Sequence, residues 1–266
     1  MLENDNWGTR ARIGMFIVGN EVVPEAEWWA MAPPGVSVHT ARVTERAPWA
    51  SWNKHRVGVD LKDDLMRGAE QFAAMRLSAA VIGHSSSSFI GGKGWDEAVV
   101  EMLSGILDAD TAVTTNGLDT LAALRASGVR RPFLVLPPWF NDKTIDAGLR
   151  YYAEHGLKPA EHLSYDPGPK WRDVAPGDLT RQGLGFAQEV EPLHAQIKAN
   201  CPATADGVLI AGTGFRCVAI LNALERDLKR PVLSANQTSL WHGLRLAGVA
   251  ARVLGEISGY GNLFKL

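Results

Sequence analysis

The chain repeats itself, and that repeat limits what it can fold into more than any other feature. The segment VTTNGLDTLAALRASGV from Val113 returns from Leu233 as LSANQTSLWHGLRLAGV. An offset of 120 residues sets Asn116 on Asn236, Leu124 on Leu244, Arg125 on Arg245 and Gly128 on Gly248. The openings of the two halves match as well: RIGMFIV from Arg12 and RPFLVL from Arg131 are both apolar runs behind a basic residue. Two matches in the same order read as a duplication.

Within each half, short apolar runs alternate with longer helical patterns. Strands are expected near 13–19, 36–43, 79–84 and 111–115, and again near 132–137, 158–164, 206–211 and 231–235. Helices are expected near 58–76, 96–107 and 117–127, then near 141–155, 179–198, 215–228 and 238–248. Runs such as AAVIG and GVLIA suit strands covered on both faces, as in parallel sheets. Right-handed βαβ units then give two pseudo-symmetric, doubly wound, flavodoxin-like α/β halves with a cleft between them. Gly128 and Gly248 fit helix-ending positions. The Pro- and Gly-rich stretch 165–178 reads as a surface loop of the second half.

Composition narrows the partners. The chain has 266 residues, 46% hydrophobic, enough for more than one domain at ~150 residues each. A formal net charge of −2 and no basic block argue against nucleic acid. No apolar run approaches the ~20 residues that cross a bilayer, and MLENDNWGTRARIG lacks the apolar core of a signal peptide. Two cysteines, Cys201 and Cys217, form no metal-ligand pattern. The expectation is a cytoplasmic protein with no metal, no cofactor, no membrane partner and a small-molecule substrate; a homo-oligomer is left open.

In open parallel sheets, ligands bind beyond the carboxyl ends of the strands. Two segments stand there: VIGHSSSSFIGG (81–92) and VLIAGTGFRC (208–217). Both offer hydroxyls and backbone N–H groups ahead of a helix, which suits a carboxylate; both also serve as ordinary turns and caps.

At these loops, at Ser234-Ala235-Asn236-Gln237-Thr238-Ser239-Leu240-Trp241 and at Asn20 in IVGNEVVPEAE, the sequence resembles the aspartate/glutamate racemase superfamily. It is most similar to the branch of maleate cis–trans isomerase and arylmalonate decarboxylase. The resemblance implies a first half of 1–117 plus 240–266 and a second half of 118–239. It also implies a cysteine at the end of each loop-bearing strand, where this chain has His84 and Gly212. The carboxylate cradle it implies survives as Ser85, Ser86, Thr213 and Gly214, with Trp139 in place of a tyrosine. Asn20 and Asn236 are further candidates for substrate contact; Asn116 and Asn236 also fit helix caps.

Without a group at Gly212, two-thiol racemisation is excluded, and His84 is left as acid/base for one-face proton transfer. Cys217 is the other candidate nucleophile, or else a small buried hydrophobe. His242 fits packing better than catalysis. Of nine tryptophans, Trp28, Trp29, Trp49, Trp52, Trp95 and Trp139 fall in the first-half loops or near strand ends; pocket lining, cement between the halves and a dimer contact all fit them. The expected activity is a cofactor-independent lyase or isomerase of a small organic acid. The alternatives are a hydrolase or hydratase using His84 to activate water, and a non-catalytic carboxylate-binding homologue.

Overall fold

Every strand of the two main sheets runs parallel to its neighbours, as the continuous apolar runs require. A computed structural model describes residues 5–266; residues 1–4 of the polar N-terminal stretch lie outside the described residues. The first part of the chain runs β1 (Ala11–Val18), α1 (Val23–Met31), β2 (Val36–Val43), β3 (Ala50–Trp52), β4 (Val59–Leu61) and α2 (Asp63–Ala73). It continues through β5 (Ala79–Ile82), α3 (Ser85–Gly91), α4 (Trp95–Ser104), β6 (Ala112–Thr115) and α5 (Asn116–Ala126). The second part runs β7 (Pro132–Leu136), α6 (Asp142–Glu154), β8 (Glu161–Ser164), α7 (Leu184–Ala187) and α8 (Val190–Asn200). It closes with β9 (Gly207–Ile210), α9 (Leu221–Leu228), β10 (Val232–Ser234), α10 (Ala235–Leu246) and α11 (Ala251–Leu254).

The sheet orders are β2-β1-β5-β6 and β10-β9-β7-β8. Read from the other edge, the second is β8-β7-β9-β10, the same winding as the first, so the duplication is carried by topology as well as by sequence. No described helix is long and apolar enough to cross a membrane.

Side-chain alternation divides the first sheet between two cores. Ile13, Met15, Ile17, Ala79 and Val81 face a core shared with the strands of the second half. Phe16, Ala80 and Ile82 face the other way, against Phe72 of α2 and Val99 and Leu103 of α4. Helix α10 leans on the first sheet, close enough that a Cβ at Gly243 would lie 3.3 Å from Val81. A buried polar seam joins α5 to α10. Asn116 Nδ2 donates to Ala235 O at 3.0 Å and Ser239 Oγ at 2.9 Å, and Thr120 and Thr238 hydroxyls meet at 3.3 Å.

Several elements depart from the sequence pattern. The helix expected over 58–76 begins only at Asp63, because 59–61 pairs with 50–52 as an antiparallel hairpin. The helix expected over 179–198 is broken: Leu184–Ala187 is a single turn, and α8 starts at Val190. The helix expected from 215 is a 3₁₀ turn over Val218–Ile220 that becomes α-helical at Leu221. Asn116 and Asn236 are not caps. Thr115 accepts from Leu118 N–H to cap α5, and Ser234 with Gln237 forms a capping box on α10. Gly128 and Gly248 follow their helices at φ +71° and +74°, as expected.

Candidate active site

In each half the neighbouring central strands send their connections to opposite sides, which opens a crevice beyond their carboxyl ends. In the first half, β1 runs out into Asn20 and Glu21, and β5 into Gly83 and His84. In the second, β7 is followed by Pro137, Trp139 and Phe140, and β9 by Gly212 and Thr213. The two crevices face each other and enclose a cleft of about 510 Å³, the size of a small-molecule site.

His84 lines this cleft at the first turn of α3. Its ring stacks on Trp49 with centroids 4.2 Å apart, and Trp49 is held by the β3–β4 hairpin that follows it. Nδ1 lies 2.9 Å from Ser87 Oγ, which also accepts the backbone N–H of Trp49 at 3.0 Å. The serine hydrogen has no other acceptor among the described residues, and when it fills the Nδ1 contact the ring proton sits on Nε2. Burial, with Lys62 nearby adding to it, pushes the imidazole pKa down to about 3. Burial therefore favours the neutral imidazole over the titrating acid/base that the sequence pointed to.

The hydroxyls expected to cradle a carboxylate are mostly committed elsewhere. Ser85 Oγ donates to Asn116 Oδ1 at 2.6 Å and accepts Gly212 N–H at 3.3 Å, which fastens the two halves together. Thr213 Oγ1 lies 3.0 Å from Gly83 O. Ser86 lines the cleft with its hydroxyl taken by no described residue. Gly214 is covered by the Glu21 carboxyl: a Cβ there would lie 2.6 Å from the carboxyl carbon. Asn236 is buried behind the cleft, where its amide donates to Glu27 Oε2 at 2.7 Å and Thr213 O at 2.8 Å.

Gly212 has no room for a side chain. Its backbone stands at φ +94°, and a Cβ would meet Pro137 Cγ at 2.8 Å. Cys217 does not reach the cleft. It is 1% exposed, its backbone N–H donates to Glu27 Oε1 at 2.6 Å, and burial followed by the nearby Glu27 pushes its thiol well above the ordinary value. Desolvation disfavours the thiolate that a nucleophile would need.

Three contributors gave no signal in the sequence. Glu21 is 7% exposed and lines the cleft. Burial pushes its carboxyl up to about 8, and Thr213 opposes this only in part. Thr213 has one hydroxyl hydrogen and two acceptors, Gly83 O at 3.0 Å and Glu21 Oε2 at 3.3 Å, so it offsets the burial of Glu21 only weakly. Arg46 also lines the cleft, is exposed, and pairs with no carboxylate among the described residues. Gly177 and Thr180 bring the loop after β8 over the opening.

Trp139 lines the cleft beside Phe140 and Ile90, with its ring edge-on to Phe215 at 5.9 Å. Asn20 lies at the rim and is exposed. Most of the other loop tryptophans serve packing: Trp28, Trp49 and Trp95 are fully buried, Trp52 is half-buried and donates to Gly91 O, and Trp29 is exposed. His242 is bound to the buried Asp119 at 2.7 Å, away from the cleft. A separate buried acid, Asp96, ties the halves by accepting from Ser88, Thr115 and Tyr151.

The arylmalonate decarboxylase family model matches residues 59–264. The chain belongs to the arylmalonate decarboxylase family. Solved structures share its fold over almost the whole chain. The maleate isomerase of Pseudomonas putida, solved with maleate, superposes with a TM-score of 0.78 at 17% identity, covering 96% of this chain and 97% of that one. An arylmalonate decarboxylase gives 0.67 at 21% identity over 95% and 98%. The maleate cis–trans isomerase of Nocardia farcinica bound to Tris gives 0.76 at 17% over 96% and 98%. No curated protein matches in sequence. This arylmalonate decarboxylase family member shares its fold with those maleate isomerases and that decarboxylase.

Proposed function

We propose that this chain is a cofactor-independent lyase or isomerase that carries a small organic acid through an enolate, with decarboxylation of a malonate-type acid as the leading reaction. The observation that carries the reading is His84, a neutral imidazole whose Nε2–H has no partner among the described residues and which lines the floor of the cleft. A neutral imidazole donor stabilises a developing enolate oxygen without being consumed as a base. Arg46 and Ser86 hold a carboxylate, and Trp139, Phe140 and Ile90 offer an apolar wall for a substituent. Family membership supports the reaction class.

In the leading reaction the bond between the central carbon and one carboxylate breaks. Its electron pair moves into the enolate, carbon dioxide leaves, and the carbon then takes up a proton. Proton NMR in D₂O tests this with malonates, maleates and β-hydroxy acids offered to the wild type and His84→Ala. The expected result is turnover with one deuterium entering the product, and a loss of about 10²–10³ in kcat in the variant, the cost of one oxyanion donor. Full activity in His84→Ala overturns the mechanism. Solvent oxygen in the product overturns the enolate reading in favour of hydrolysis or hydration.

A further inference from the structure

We infer that Glu21 is the acid that delivers the proton to the reacting carbon, acting from the second-half side of the cleft beside Gly212. The inference rests on the enolate reading above and names the proton source that reading lacks.

Three placements support it. Glu21 lies in the loop that ends β1, at the first-half crevice, and lines the same cleft as His84. Its side chain crosses to the other half: the carboxyl covers Gly214, and Oε2 meets the Thr213 hydroxyl at 3.3 Å. It therefore stands within two residues of Gly212, on the side that sequence alone left without an acid. Thr213 is bound onward to Gly83 O, next to His84, so donor and acid are held by one short chain of contacts.

Other charged groups surround Glu21 without neutralising it. Arg42 of β2 donates to the Glu21 backbone carbonyl at 2.9 Å and pairs with Glu25. Glu45 and Arg46, from the loop after β2, and His84, from the loop after β5, line the same cleft. Glu27 of α1 is occupied by the Cys217, Val218 and Asn236 donors. Arg216 on the second-half loop donates to Gln188 O at 3.4 Å. None of these forms an ion pair with the Glu21 carboxyl among the described residues, and burial keeps its proton on to about pH 8.

This resting state fixes the direction of the chemistry. Below pH 8 the cleft presents a protonated carboxyl and a neutral N–H donor, so a reaction that begins by losing carbon dioxide and ends by gaining a proton fits. The Glu21 O–H bond breaks as the carbon–hydrogen bond forms, and the resulting carboxylate regains its proton from solvent.

The test compares wild type, Glu21→Gln, Glu21→Asp and His84→Gln on one acid, measuring kcat, KM and the pH profile. Glutamate ¹³C-carboxyl NMR is recorded on the substrate-free protein. Glu21→Gln is expected to keep KM within about threefold and lose about 10²–10⁴ in kcat. The wild-type kcat is expected to fall above about pH 8, and Glu21→Asp to restore part of the rate. One glutamate carboxyl should titrate near pH 8 and vanish from the spectrum of Glu21→Gln. A Glu21→Gln rate within threefold of wild type overturns the inference while His84→Gln still reports on the enolate reading. If no acid is turned over, that reading fails, and a Glu21 carboxyl titrating in the ordinary range overturns the inference on its own.

Discussion

A thiol placed at position 212 should damage the protein without creating two-thiol chemistry. Gly212 has φ +94°, a conformation costing a side-chain-bearing residue about 1–3 kcal/mol. The new Cβ would lie 2.8 Å from Pro137 Cγ and 3.2 Å from Cδ. The proline ring is rigid and sits at the end of β7, so relief requires moving the loop that carries Trp139. Overpacking of this kind costs about 1–3 kcal/mol, giving a total of roughly 2–6 kcal/mol for Gly212→Cys. For a chain of this size that is a Tm drop on the order of 4–24 °C. Gly212→Ala should lose a similar amount, since the strain belongs to the Cβ. Thermal and urea unfolding of both variants measure the cost, and proton exchange at the substrate carbon reports any racemase-like activity. Melting within about 2 °C of wild type in both variants refutes the reasoning.

Ser87→Ala leaves the Trp49 N–H without its acceptor, so stability should fall by about 1–3 kcal/mol in urea unfolding. It also frees His84 Nδ1, and ¹⁵N NMR should show the ring losing its single Nε2–H tautomer as kcat falls. Arg46→Gln should raise KM roughly 10–100-fold with kcat little changed, the loss of a charge-assisted carboxylate contact, and should flatten the dependence of KM on salt. The stability contributed by Glu21 protonation is complete below its unfolded value near 4.5 and is lost as pH rises to about 8. His84 has the opposite sign, its contribution present above 6.5 and lost as pH falls towards 3. Between pH 6.5 and 8 only the Glu21 effect of this pair changes, so wild type should lose roughly 2 kcal/mol relative to Glu21→Gln over that range in urea titrations.

The parts of the fold that were legible in sequence are those set by local apolar runs. β1, β5, β7 and β9 are short hydrophobic strands, and the repeat aligned β1 with β7 before any topology was known. What was hidden depends on distant partners. SSSSFIG reads as a loop by propensity, yet it forms α3 because Ser87 and Ser88 hand their hydroxyls to His84 and Asp96. Glu21 and Glu27 look like solvated acids in VPEAEWWAM and its approach. Both are buried because their hydrogen-bond partners lie about 190 positions later, at Thr213 and Cys217. Position 84 was visible as a cleft residue, but its burial was not, since Trp49 stacks on it from another loop. Arg46 sits in TERAPWA, which matches no motif, and only the turn after β2 brings it to the cleft.

Decarboxylation through a His84-stabilised enolate can be followed by ¹³C NMR on malonates labelled in one carboxyl, incubated at neutral pH with wild type and with His84→Gln. Labelled carbon dioxide should appear with wild type and be strongly reduced in the variant, which still binds the acid. Binding of the malonates with no labelled carbon dioxide from either protein would contradict this mechanism.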